Sequence, residues 1–261
     1  MANIQLLKSF IKHRLTAKTR HGIHSPFIYR LIDEVIYDFK PRYEYDDIEH
    51  LRARLLKDNR IIRITDLGAG SHVNNNKQKQ VKQLAKNALK PASLAKLIYR
   101  LSNDFKPDNI VELGTCLGVT TSYLAKAAPH AEVVSIEGCP ETAAVAKENI
   151  AQLGIRNVSI RTGNFDVVFP AVISELSKLD FVFVDGNHRK DATLKYFEWC
   201  LQKVHEGSVI IFDDIYWSKG MKEAWEEIKQ HPAVTVTVDL FWIGLVFFRQ
   251  GQAKEDFKVK F

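Results

Sequence analysis

The stretch Val111–Ala125, VELGTCLGVTTSYLA, limits what this chain can fold into more than any other part of it. A strand-like run, Asn109–Leu113, meets Gly114 and Gly118, and a helical pattern follows over Val119–Ala128. The next apolar run, AEVVSIE, ends in Glu137, 23 residues past Gly114. Strand, tight turn, helix and second strand make a βαβ unit. An acid at the tip of the second strand sits where such units hold ribose hydroxyls. An earlier turn, TDLGAGS at Thr65–Ser71, looks similar but is followed by two helical patterns and Pro91, with no second strand and no terminal acid. Only the later loop therefore reads as a cofactor loop.

The βα rhythm continues beyond it. Strands are expected at Asn157–Arg161, Asp180–Asp185 and Ser208–Phe212, with helices such as Glu141–Leu153 and Lys190–Val204 between them. After a helix at Lys219–Gln230 come two closely spaced strands, Val234–Val238 and Trp242–Phe248. Repeated βα units imply a parallel sheet with helices on both faces, and the close final pair implies an antiparallel strand at its edge. The expected organisation is a mainly helical extension or lid over 1–90, an α/β domain over 91–250 and a tail over 251–261. The longest apolar run, Leu240–Phe248, is interrupted by Gly244 and has strand length, so no membrane span is expected. Three cysteines with no CxxC spacing suggest a reducing, cytoplasmic setting and no disulfide framework.

Charge is unevenly placed. Residues 1–30 hold six Lys/Arg and no Asp or Glu, and the rest of the chain balances at 31 of each sign. Ile4, Leu7, Phe10, Ile11 and Leu15 recur there at helical spacing, so the segment reads as a basic amphipathic helix. Packing of that stripe on the body, with lysines in solvent, is the expected arrangement. Docking onto nucleic acid, anionic lipid or an acidic substrate is the alternative. Lys8 and Lys12 interrupt the apolar region too early for a secretory signal, whereas an organellar presequence is compatible with it.

The chemistry of the loop narrows the cofactor. A pyrophosphate loop places a glycine where Cys116 stands, and Glu112 would repel a pyrophosphate but attract an ammonium and a sulfonium. Thr120, at the helix start, is placed to bond a ligand carboxylate beside the helix amides. S-adenosylmethionine fits these features better than NAD. The segments VELGTCLGVTTSYLA, VVSIEGCP, VSIRTGNF, LDFVFVDGNH and EGSVIIFDDIYW resemble class I S-adenosylmethionine-dependent methyltransferases, in the branch of catechol and caffeoyl-CoA O-methyltransferases. The resemblance covers about residues 91–249 and implies a Rossmann-like sheet of seven strands with the last antiparallel. It implies that Gly114 and Gly118 shape the methionine pocket, that Thr115 and Gly138 join the cofactor contacts, and that Glu137 grips the ribose. Gly163, Asn164 and Phe165 would border the adenine.

In that fold the strands ending in Asp185 and in Asp213-Asp214 lie side by side. Three carboxylates meeting there call for protonation or a hard divalent ion such as Mg²⁺. The resembled enzymes hold such an ion with an Asp and an Asp-Asn pair, whereas this chain has Asp-Asp. A metal-free enzyme, with Asp185 bonding the methionine end, is the competing reading. His188 falls where the resembled enzymes often place a general base, and imidazole has a suitable ordinary pKa. A loop histidine that only lines the pocket is the alternative. Tyr216 and Trp217 either wall an aromatic acceptor or pack in the core. The expected activity is O-methylation of a small-molecule hydroxyl, and a homodimer is left open. An RNA methyltransferase using the basic arm is disfavoured, because VDGNH stands where base-directed enzymes carry a [DN]-P-P-[FYW] turn. A non-catalytic S-adenosylmethionine-binding protein is the third reading.

Overall fold

The computed structural model describes residues 2–65 and 78–261. Helix α1 (Ala2–Thr16) leads to α2 (Pro26–Arg30), a π-helical turn (Leu31–Ile36) and α3 (Glu44–Leu55). Strands β1 (Ile61–Arg63) and β2 (Gln78–Gln80) precede α4 (Val81–Ala88) and α5 (Ala92–Phe105). The βα series follows: β3 (Asn109–Leu113), α6 (Val119–Ala127), β4 (Glu132–Glu137), α7 (Pro140–Gln152), β5 (Val158–Thr162) and α8 (Phe165–Glu175). It continues with β6 (Leu179–Val184), α9 (Lys190–Leu201), β7 (Val204–Asp213) and α10 (Lys219–Gln230). Strands β8 (Val236–Asp239), β9 (Ile243–Phe247) and β10 (Glu255–Lys258) complete the order. Among the described residues eight strands make the main sheet, and β1 pairs with β2 in a separate antiparallel ribbon. The motif TDLGAGS lies outside the described residues beyond Thr65.

The chain divides into two compact units, Phe39–Val172 and Met1–Asp38 with Ile173–Phe261. In Phe39–Val172, β3, β4 and β5 lie parallel in that order, with Leu113 opposite Ile136 and Glu137 opposite Thr162. Strand β3 is buried on both faces from Ile110 to Leu113, as a parallel strand covered by helices must be. Tyr45, Ile48, Leu51 and Leu55 recur along one face of α3 and pack in a core with Ile62, Val81, Tyr99 and Tyr123. Polar ties hold the same face: Tyr123 donates to Glu49 at 2.6 Å, and Lys126 meets Asp47 at 2.8 Å. Burial and the Glu49 carboxylate push the Tyr123 hydroxyl well above its ordinary pKa, so it stays a donor.

In the other unit the order is β6-β7-β9-β8-β10. Strands β6 and β7 are parallel, while β9 runs antiparallel to both β7 and β8. The seventh strand of the main sheet is thus the antiparallel one, but it lies between β7 and β8 and not at the edge expected from the sequence, because β8 folds back to pair on its outer side. Residues 251–261, expected as a tail, hold an eighth strand instead: β10 pairs parallel with β8, Glu255 opposite Val236 and Lys258 opposite Asp239. Pairing covers the edge that β8 would otherwise leave open. The N-terminal segment grips this strand's end, with Lys18 N–H donating to Lys258 O at 2.8 Å and Lys260 N–H to Lys18 O at 3.1 Å.

Helix α1 does not bury the stripe expected of it. Its inward face is Leu6, Ser9, Phe10 and His13, while Ile4, Leu7, Ile11 and Leu15 are exposed. Polar pairing decides the rotation. Buried His13 meets Asp239 at 3.0 Å, Phe10 packs edge-on against Phe241 at 5.0 Å, and Lys222 donates to Ser9. Burial raises the Asp239 pKa, but bonds from His13, Tyr216 and the Phe241 N–H outweigh it and hold the carboxyl below its ordinary value.

Gly244 in β9 shows how tightly this unit is packed. A Cβ there would lie 2.6 Å from Cη2 of Trp225, an indole of α10 that is itself buried. Gly244→Ala is therefore expected to destabilise the protein by about 1–3 kcal/mol through overpacking. Urea unfolding measures it, and an unchanged midpoint would show that the indole has room to move.

Candidate active site

The loop after β3 is built by backbone geometry. Gly114 has φ 100° and Gly118 has φ 79°, values that favour glycine. A Cβ on Gly118 would also press to 3.3 Å against Ala146 of α7. Cys116 takes φ 49° between them, and its N–H donates to Glu137 Oε2 at 2.8 Å. The other oxygen of Glu137 accepts the Cys139 N–H at 2.9 Å. Half-buried at the tip of β4, Glu137 thus ties the turn after its own strand to the turn after β3. Gly138, in the same turn, is half-buried as well.

Glu112 is fully buried, and its Oε2 accepts hydroxyl bonds from Thr121 at 2.5 Å and Ser135 at 2.6 Å. Thr115 extends the chain through its hydroxyl, 2.5 Å from Ser135. Sequence reasoning missed Thr121 and Ser135. Ser135 was open to detection, because parallel pairing sets it directly opposite Glu112. Thr120 is buried at the start of α6. Gly163 has φ 153°, and a Cβ there would meet Val168 at 2.8 Å. Asn164 is exposed and its side chain accepts the Asp166 N–H at 2.8 Å, ordering the first turn of α8; Phe165 beside it is half-buried. Cys139 also contacts an earlier segment, with Thr65 N–H and Arg63 O each 3.4 Å from its sulfur.

The second group of residues lies in the other unit. Val184 stands opposite Phe212 in the β6–β7 register, so Asp185 and Asp213 leave neighbouring strand ends together. Ligand atoms of Asp185, His188 and Asp213 all fall within 4.8 Å of one another. His188 Nε2 is 3.7 Å from Asp185 Oδ1 and 3.9 Å from Asp214 Oδ2. Asp213 is buried, whereas Asp185, His188 and Asp214 are half-buried. Tight turns aim these side chains: Asn187 has φ 51° and Asp214 has φ 53°. Asn187 is held by its amide donating to Tyr196 at 3.0 Å, and the Asp214 N–H donates to Trp242 O at 2.7 Å.

The two aromatics after the aspartates part company. Tyr216 stacks on Phe241 at 4.7 Å and donates to Asp239 at 2.7 Å, a packing role. Trp217 is exposed and available to a ligand.

Residues 111–215 match the family described as methyltransferase domain. A catechol O-methyltransferase of Niastella koreensis is 32% identical over 123 residues, covering 46% of this chain and 55% of that protein. One from Mycobacterium tuberculosis is 27% identical over 132 residues, covering 50% of this chain and 58% of that protein. The chain thus spans little more than half the length of these curated relatives. Among solved structures, the O-methyltransferase TomG from Streptomyces achromogenes, in complex with SAM, superposes with a TM-score of 0.54 at 21% identity, covering 62% of this chain and 82% of that one. An O-methyltransferase from Bacillus cereus in complex with SAH gives 0.55 at 20% identity, covering 81% and 93%. At such identities the likeness concerns the fold. Residues 111–215 thus resemble a methyltransferase domain, and the chain shares its fold with solved O-methyltransferases.

Proposed function

We propose that the chain transfers the methyl group of S-adenosylmethionine to a hydroxyl oxygen of a small molecule. The observation that carries the reading is Glu137, its carboxylate already fixed by two backbone N–H groups at the tip of β4. So held, the carboxylate keeps one orientation at the strand tip, which suits recognition of a ribose diol. Gly114, Thr115, Gly118, Thr120 and Gly138 would complete the contacts near the methionine and ribose. Gly163, Asn164 and Phe165 would border the adenine. Glu112 would bias the loop toward a cationic ligand, and its bonds to Thr121 and Ser135 keep it in one rotamer.

The acceptor side of the reaction would fall to Asp185, His188, Asp213 and Asp214. His188 takes the hydroxyl proton, and the oxygen lone pair attacks the methyl carbon as the carbon–sulfur bond breaks. The sulfonium becomes a neutral thioether. Asp185 and Asp214 flank the imidazole, their oxygens 3.7 Å and 3.9 Å from its Nε2. The Asp185 and Asp213 carboxylates, with Asp214 next in the chain, would also suit a hard divalent cation such as Mg²⁺, leaving His188 to the proton. Bound there, the cation would lower the pKa of the acceptor hydroxyl. Exposed Trp217 suits an aromatic acceptor. Buried thiols at Cys139 and Cys200 accord with a reducing, cytoplasmic setting.

Turnover of methyl-labelled S-adenosylmethionine against catechols, phenols and hydroxy acids tests the reading, with and without chelator. Label is expected in a hydroxyl-bearing acceptor. Tight S-adenosylhomocysteine binding with no acceptor labelled anywhere in the panel would favour a non-catalytic binding protein.

A further inference from the structure

The outward face of α1 carries more apolar surface than solvent favours. Ile4, Leu7, Ile11 and Leu15 are 63%, 57%, 50% and 80% exposed. Their spacing sets them in one line along the helix. Single exposed aliphatics are ordinary, but four aligned on one element mark an interaction surface. At 100° per residue, Lys8 and Lys12 border one side of the line and Arg14 the other, all three exposed. No acidic residue lies anywhere in residues 1–30.

Helix α1 is also held in place, by His13 on Asp239 and Phe10 on Phe241, so the line faces outward without rearrangement. Arg14 is fixed as well, donating to Phe261 O at 3.0 Å. Trp242, 41% exposed, lies 6.3 Å from Phe10, an aromatic with the character of membrane-interface residues.

Three occupants make different demands on this face. A second copy would cover the aliphatics but bring two sets of like charges together. Nucleic acid would pair with the cations but leave four aliphatic side chains in water. A bilayer surface bearing anionic lipid satisfies both, with aliphatics among the acyl chains and cations at the phosphates. The 15-residue helix is too short to span, and among the described residues no helix is long and apolar enough to do so. We infer that α1 is a preformed interfacial helix that docks the protein flat on an anionic membrane surface.

Co-sedimentation of the full chain with vesicles tests this. Vesicles of phosphatidylcholine mixed with phosphatidylglycerol are expected to pellet the protein. Pure phosphatidylcholine, or high salt, should weaken binding at least about 10-fold, because the attraction is screened. The double variants Leu7→Ser/Ile11→Ser and Lys8→Glu/Lys12→Glu should each lose about 10-fold in partitioning with unchanged thermal melts, since all four positions are exposed. The inference is overturned if the protein ignores anionic vesicles, or if the serine variant pellets like the parent. It is equally overturned if the face proves to bind RNA homopolymers, or to hold a dimer that the serine variant dissociates, without vesicle binding.

Discussion

Glu137→Ala is expected to weaken S-adenosylhomocysteine binding by about 100-fold or more, which corresponds to roughly 3 kcal/mol. Two effects add. The variant removes the acceptor proposed for the ribose hydroxyls. It also strips partners from the Cys116 and Cys139 N–H groups, which fix the turns on either side. Hydrogen bonds to a charged group contribute about 1.5–3 kcal/mol each, so losing even one matters. Glu137→Gln should recover part of the loss at most, because its amide keeps one acceptor oxygen but points N–H at N–H on the other side. Calorimetry reads the affinities, and a thermal melt of each ligand-free variant separates loop loosening from lost contact. Gly68→Ala, in the earlier glycine motif, should bind as the parent does. If Gly68→Ala abolishes binding while Glu137→Ala keeps it, the cofactor loop has been placed on the wrong glycines.

His188→Ala should lower methyl transfer by about 100-fold or more while leaving S-adenosylhomocysteine affinity near the parent value. A positioned general base contributes on the order of 10²–10⁴. The imidazole lies 3.7 Å from Asp185 and 3.9 Å from Asp214, which places it among the acids at the strand ends. The pH profile distinguishes a base from a residue that merely shapes the pocket. A base acts only when unprotonated, so kcat/KM of the parent should fall on the acidic side of its pH profile. In the alanine variant that acidic limb should disappear. A variant that keeps both the rate and the limb would remove His188 from the chemistry, leaving Asp185, Asp213 and Asp214 to account for it.

The parts of the fold legible in the sequence share one trait: their determinants are close along the chain. The βα rhythm from Asn109 to Asp213 appears with strand ends displaced by only a few residues, because apolar runs and glycine turns report on local geometry. Gly114 and Gly118 prove to need positive φ, and Glu137 stands at its strand tip. The pairing of Asp185 with Asp213 also followed from topology, since adjacent parallel strands end together. By contrast, β10 carries Glu255, Asp256 and Lys258 and has no apolar alternation to announce it. Its strand character comes from the open edge of β8.

The rotation of α1 was hidden for a similar reason. Five apolar residues at helical spacing trace two overlapping arcs, and nothing local says which turns inward. His13 settles it by bonding Asp239, a partner 226 residues away. The hydroxyls of Thr121 and Ser135 around Glu112 likewise needed a strand register before they could be assembled. Sequence alone determined the class of the fold, the loop that turns on glycine and the acids that end the strands, because period and turn chemistry are short-range. Tertiary structure alone decided which face of α1 meets water, which residues steady the buried carboxylates, and that His188 joins the aspartates. Those outcomes depend on pairing polar groups far apart in the chain, where an unpaired buried charge costs more than an exposed leucine.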